Sequence, residues 1–98
     1  MRVVWSPLAD RQVDDAVEYI GHDEPIAALK WLERLLERVK ALARFPDSGR
    51  MVPETQREDI REILVRPYRV MYRRRDDRVE IVAIRHASRA FNEREESV

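Results

Sequence analysis

The hydrophobic period of this 98-residue chain changes once, and that change limits the folds open to it. Between residues 8 and 43 the apolar residues recur at helical spacing: Leu8, Ala9, Val13, Ala16, Val17 and Ile20, then Ala28, Leu29, Leu32, Leu35, Leu36, Val39, Leu42 and Ala43. From residue 60 onward "IREILV", "YRVMYR" and "VEIVAIRH" alternate with the period of two that a half-buried strand requires. A short β-branched stretch, "MRVVW", precedes the first helical segment. The expected order is strand, helix, helix, strand, strand, strand. That is an α+β domain spanning residues 1–98, an antiparallel sheet with an αα-hairpin packed on one face.

Local signals set the boundaries. Ser6 and Pro7 suit an N-cap and a first helical position, because the serine oxygen accepts an orphan N–H and proline has none to leave unpaired. Gly21 is the expected stop. Pro25 restarts the helical pattern, and Pro46 disfavours helical geometry in the residue before it, so the second helix is expected to end at Phe45. "PDSGRMVPETQRED" reads as a surface loop, Arg66 and Pro67 as a turn, "RDD" as a second turn, and "SRAFNEREESV" as a possible helical turn in a fraying tail.

Composition excludes several function classes. There is no cysteine, so disulfides, thiolate chemistry and sulfur-ligated zinc are absent, and His22 and His86 are too few for a metal site. No cofactor fingerprint is present. No run reaches the roughly 18 apolar residues of a membrane span, and "MRVVWSPLAD" lacks the apolar core of a signal peptide; the expectation is a cytoplasmic protein with no membrane partner. The formal net charge is zero, which argues against strong direct binding to nucleic acid. Between Arg61 and Arg89, however, nine arginines face four acids, so any electropositive surface is local to the strands.

Two helices cover one face of a sheet. The strands carry apolar residues in both alternating sets: Val70 and Tyr72 against Met71, and Val79, Ile81 and Ala83 against Val82 and Ile84. A second set without a cover implies a protein partner on the sheet or its edge. Arg73, Arg74, Arg75 and Arg78 flank a turn and read as solvation. Arg69, Arg85 and Arg89 form the expected recognition set, since guanidinium binds carboxylate bidentately, with Met71, Val82 and Ile84 as apolar contacts. Trp5 and Trp31 read as packing residues, and His86 as a structural hydrogen-bonding group.

"SPLADRQVDDAVEYI", "AALKWLERLLERVKALARFPDSGR" and "YRVMYRRRDDRVEIVAIRHASR" together resemble, in order, the segments of the ParE/RelE toxin superfamily of type II toxin–antitoxin modules, whose members are often labelled plasmid stabilisation proteins. The most specific pieces are Leu42, Pro46 and Gly49, then the "YRV.Y" strand, then "I.H..R" ending at Arg89. The resemblance implies a toxin held inactive by a cognate antitoxin. One branch implies inhibition of DNA gyrase; the other, RelE-like, implies ribosome-dependent mRNA cleavage.

Metal-free RNA cleavage needs a group that activates the 2′-hydroxyl, cations for the phosphorane and an acid for the leaving oxygen. Arg69 and Arg89 match the arginines of the RelE-like pattern, and His86 matches the histidine of a related nuclease arrangement. Glu62 and Leu64 stand where a lysine pair is expected, and Ala87 where a tyrosine is expected. The set is incomplete, which points away from an enzyme and toward the gyrase-inhibiting ParE-like branch. The alternatives are the mRNA interferase, with Arg69, His86 and Arg89 as catalytic candidates, and a non-toxic protein-binding module of the same fold.

Overall fold

The computed structural model describes residues 1–91. These form β1 (Arg2–Trp5), α1 (Pro7–Gly21), α2 (Pro25–Ala41), β2 (Arg50–Met51), β3 (Ile60–Val65), β4 (Tyr68–Arg74) and β5 (Arg78–His86). The strand order is β1-β5-β4-β3-β2. The α+β architecture is as expected, but the sheet is mixed. β1 runs parallel to β5, with Val3 opposite Val79 and Trp5 opposite Ile81, whereas β2 to β5 are antiparallel. A chain that leaves β1 through two helices returns to the sheet at its far edge, and period alone carries no pairing direction.

Ser6 caps α1 as its position implies: its side chain accepts from the Ala9 N–H at 3.0 Å. α1 ends at Gly21, the expected stop, but without the positive φ of a glycine cap, and a Cβ there would make ordinary contact with the Ala28 Cβ at 3.4 Å. α2 stops at Ala41 rather than Phe45. Leu42, Ala43 and Arg44 donate to carbonyls three residues back, a tightened turn that uses up the last α2 carbonyls before Pro46. The loop expected at residues 46–59 contains the two-residue β2, which pairs with Arg61 and Glu62. At the other end, the Arg89 N–H closes a turn on the His86 carbonyl; residues 92–98 of the expected tail lie outside the described residues.

Between the helices and the sheet, Ala9, Ala16, Trp31, Leu35, Val39 and Leu42 pack on strand residues including Ile63, Val65, Tyr68, Val70, Val79 and Ile81. Trp31 is a packing residue, as expected, and its Nε1 also donates to the Val65 carbonyl at 3.0 Å. The other face is not bare. Met71, Val82 and Ala83 are buried there with Val52, Ile60 and Phe91 in a second apolar cluster, so the loop before β3 and the segment after β5 supply the cover that was expected from a partner.

A bulge in β5 explains the membership of both clusters. Tyr72 lies opposite Ile81 and Met71 opposite Ala83, so Val82 is the additional residue and the alternation reverses after it. Ala83 therefore joins Met71, and Ile84 joins the helix-side core, the reverse of the expected sets. The backbone groups disturbed by the bulge are satisfied from Ser6 and α1. Ser6 Oγ donates to the Val82 carbonyl at 3.2 Å, and Gln12 Oε1 accepts from the Ile84 N–H at 2.7 Å.

Candidate functional site

The residues singled out by the family-like motifs fall into three groups in space. The first is a turn anchor. Tyr72 Oη donates to the Pro46 carbonyl at 2.8 Å and accepts from the Gly49 N–H at 2.9 Å, while Leu42 is buried in the core beside it. A Cβ on Gly49 would stand 2.6 Å from the Glu62 carbonyl oxygen and 2.7 Å from Tyr72 Oη. Only glycine fits so close to another strand's backbone. Burial pushes the Tyr72 phenol above its usual range, so the hydroxyl remains the donor this anchor needs.

The second group surrounds Arg69. Its side chain lies on the sheet face away from the helices and is 7% exposed. Nη1 and Nη2 donate to the two carboxylate oxygens of Glu54 at 2.9 and 2.8 Å, and Nε donates to Glu62 Oε1 at 2.7 Å. Nη1 also reaches the Arg89 carbonyl at 3.1 Å. Glu62, whose side chain is fully buried, accepts a second arginine, with Arg50 Nε 2.6 Å from Oε2. Two carboxylates and two guanidiniums make a network of zero formal charge, of which Arg69 and Glu62 form the buried centre. The Arg69 hydrogen bonds hold the Glu54 carboxyl down at about 2, and Glu54 in return raises the affinity of Arg69 for its proton. Glu54 Oε2 also accepts the Phe91 N–H at 2.9 Å. One carboxylate thus ties the loop, the sheet and the segment after β5 together.

Glu62 was legible as an anomaly, a carboxylate where the resemblance places a lysine, but its role was not. It is the counterion of Arg69. Glu54 gave no local signal, because it sits in a turn-rich loop 15 residues before its partner.

The third group lines a cleft of about 490 Å³ between α1 and the end of β5, bordered by Gln12, Asp15, Tyr19, Tyr68, His86 and Arg89. The His86 ring packs edge-on to Tyr68, with centroids 5.4 Å apart, and Tyr68 in turn meets Trp31 at 5.1 Å. The Ser88 N–H donates to His86 Nδ1 at 3.2 Å, so Nδ1 is an acceptor and the proton of the neutral ring belongs on Nε2. This is the structural role expected of the histidine. Arg85 Nη1 donates to the Ala90 carbonyl at 2.7 Å, whereas the Arg89 guanidinium pairs with no described residue.

The structure therefore separates the residues expected to act together. Arg69 and Arg89 are joined through the Arg89 backbone, but His86 lies on the helix side of the sheet with Tyr68, opposite the Arg69 guanidinium. Met71, Val82 and Ile84 are all buried.

A sequence model of the family described as "ParE toxin of type II toxin-antitoxin system, parDE" matches residues 3–91. The chain belongs to the ParE toxin family. It is 38% identical over 88 residues to toxin RelE2 of Caulobacter vibrioides, covering 90% of this chain and 97% of that protein. It is 36% identical over 88 residues to the putative toxin Y4kP of Sinorhizobium fredii, covering 88% of each. Its fold is also similar to a chain in a solved structure titled "Chromosomal ParDE TA system from P. aeruginosa", with a TM-score of 0.73 at 24% identity over 88% of this chain and 95% of that one. As a ParE-family toxin of a type II system, the protein implies a cognate antitoxin. In this ParE-family chain the turn anchor and the Arg69 network hold Leu42, Pro46, Gly49, Arg69 and Tyr72, while His86 and Arg89 border the cleft.

Proposed function

We propose that this ParE-family toxin acts in the cytoplasm by inhibiting DNA gyrase, and that its antitoxin silences it by binding at the cleft between α1 and β5, with Arg85 and Arg89 as cationic contacts. The observation that carries the choice of branch is the placement of Arg69. Its donors are taken by Glu54, Glu62 and the Arg89 carbonyl, and it lies across the sheet from His86, so the three nuclease candidates share no open surface. A cation already committed to two carboxylates has little left for a phosphorane. In this reading Arg69 is a positioning residue that holds the backbone of Arg89, and Met71, Val82 and Ile84 support the contact surface from beneath.

The name of the C. vibrioides relative favours the second reading, an RelE-like mRNA interferase. Two assays separate them. Supercoiling by purified gyrase should fall when the protein is added and recover when antitoxin is supplied. Ribosomes programmed with message should show no codon-dependent cutting. Efficient cleavage with unchanged supercoiling would reverse the assignment.

A further inference from the structure

The arginines of β3 to β5 are mostly paired: Arg69, Arg73, Arg74, Arg75 and Arg78 each have a carboxylate within ion-pair distance. Three arginines at the opposite edge of the sheet do not. Arg34 and Arg38, one turn apart on α2, and Arg66, after β3, are exposed, and no described carboxylate pairs with them. Arg34 Nη2 donates to the Arg66 carbonyl at 3.2 Å and Arg38 Nη1 to the Leu64 carbonyl at 3.0 Å. Each guanidinium is thereby oriented by one bond on an outward carbonyl of the β3 edge, and its other donors remain available, since a guanidinium carries five. β2 pairs with Arg61 and Glu62, so among the described residues the rest of β3 has a strand neighbour on one side alone. Along this edge runs a groove of about 410 Å³ lined by Arg34, Glu37, Arg38, Leu64, Val65 and Arg66, with Leu64 exposed at its middle.

We propose that this groove binds an acidic, extended peptide segment lying beside β3, its carboxylates on Arg34, Arg38 and Arg66 and an apolar side chain on Leu64. Charge complementarity selects the occupant. Three uncompensated cations, two of them oriented, against one acid within a single strand length suit two or three carboxylates at strand spacing. A polyanion such as RNA is drawn by an extended field, and a chain of zero formal net charge does not provide one. Keeping an edge soluble needs only exposed charge. It does not need two arginines fixed on alternate carbonyls of the same edge. The groove is separate from the cleft at Arg89, and its occupancy does not depend on the identity of the toxin's target.

The test is fluorescence anisotropy of the whole protein with a fluorescein-labelled peptide of alternating glutamate and leucine, about ten residues long to span the edge. Saturable binding is expected. Combining Arg34→Gln, Arg38→Gln and Arg66→Gln should raise Kd by about tenfold, the sum of three exposed ion pairs. Combining Arg73→Gln, Arg75→Gln and Arg78→Gln at the far hairpin should leave Kd within about twofold. Arg66→Gln alone keeps the question answerable if the triple variant folds poorly, because the Arg66 side chain bonds to no described residue; about a twofold to threefold rise in Kd is expected from it. The proposal is overturned by absent binding, by equal losses in the two triple variants, by a glutamine-for-glutamate peptide that binds as well, or by RNA that displaces the peptide from the same arginines.

Discussion

The β4–β5 hairpin holds arginine in two settings. At its base, Arg69 is enclosed by Glu54 and Glu62 and has almost no contact with solvent. Toward its tip, Arg73 pairs with Asp59, Arg74 with Asp47, Arg75 with Glu80, and Arg78 with both Asp77 and Glu80, with arginine side chains that are roughly a third exposed. Both settings satisfy the same distance criterion for a salt bridge. They differ in what water can do when a partner is lost. At the tip, solvent replaces the missing carboxylate; at the base, a buried charge is stranded. Counting ion pairs would rank the tip above the base, and the energetics reverse that order.

The largest test of this contrast is Arg69→Ala. It leaves Glu62 buried with Arg50 as its remaining counterion and removes the bonds to Glu54 and to the Arg89 carbonyl, and it should cost about 3–5 kcal/mol in urea or thermal unfolding. A loss below about 1 kcal/mol would mean that water reaches the network and that base and tip are equivalent. Gly49→Ala sharpens the comparison without touching a charge. Its Cβ would press on the Glu62 carbonyl and on Tyr72, so a loss of about 1–3 kcal/mol is expected from strain alone. That loss should be insensitive to added salt, unlike changes at the tip.

Acid should weaken the base. The Glu54 carboxyl is depressed to about 2 from its ordinary 4.5, so its contribution is fully present above about 4.5 and is lost as pH falls from there through about 2. The Tm difference between the wild type and Glu54→Gln should be constant above that window and shrink across it. A gap that stays constant down to pH 2 would show that the Glu54 carboxylate is not what binds Arg69.

The smallest effects belong to the exposed cations. Arg75→Ala or Arg78→Ala should change stability by about 0–1 kcal/mol. Arg89→Ala should leave the Tm similarly unmoved, because among the described residues only its backbone is engaged, yet under the antitoxin reading it should weaken antitoxin binding by about 1.5–3 kcal/mol in calorimetric titration. If Arg89→Ala and Arg78→Ala bind antitoxin alike, the cleft is not the contact.

The elements follow from the sequence because their causes are local or periodic. Ser6 beside Pro7 starts α1 wherever the chain goes, and an alternating run such as "VEIVAIRH" has one face to bury whichever strand it joins. What the tertiary structure alone decided depends on partners distant in the chain. β1 pairs parallel with β5, one bulge at Val82 exchanges the faces of Ala83 and Ile84, and Val52 and Phe91 cover the second apolar set. Arg69 is the sharpest case. Its sequence neighbourhood is that of a surface cation in an arginine-rich hairpin, and only folding brings Glu54 and Glu62 within 3 Å of it. Burial and charge pairing belong to positions in space, so a side chain's chemistry was readable from its residue type while its use was fixed by what the fold placed around it.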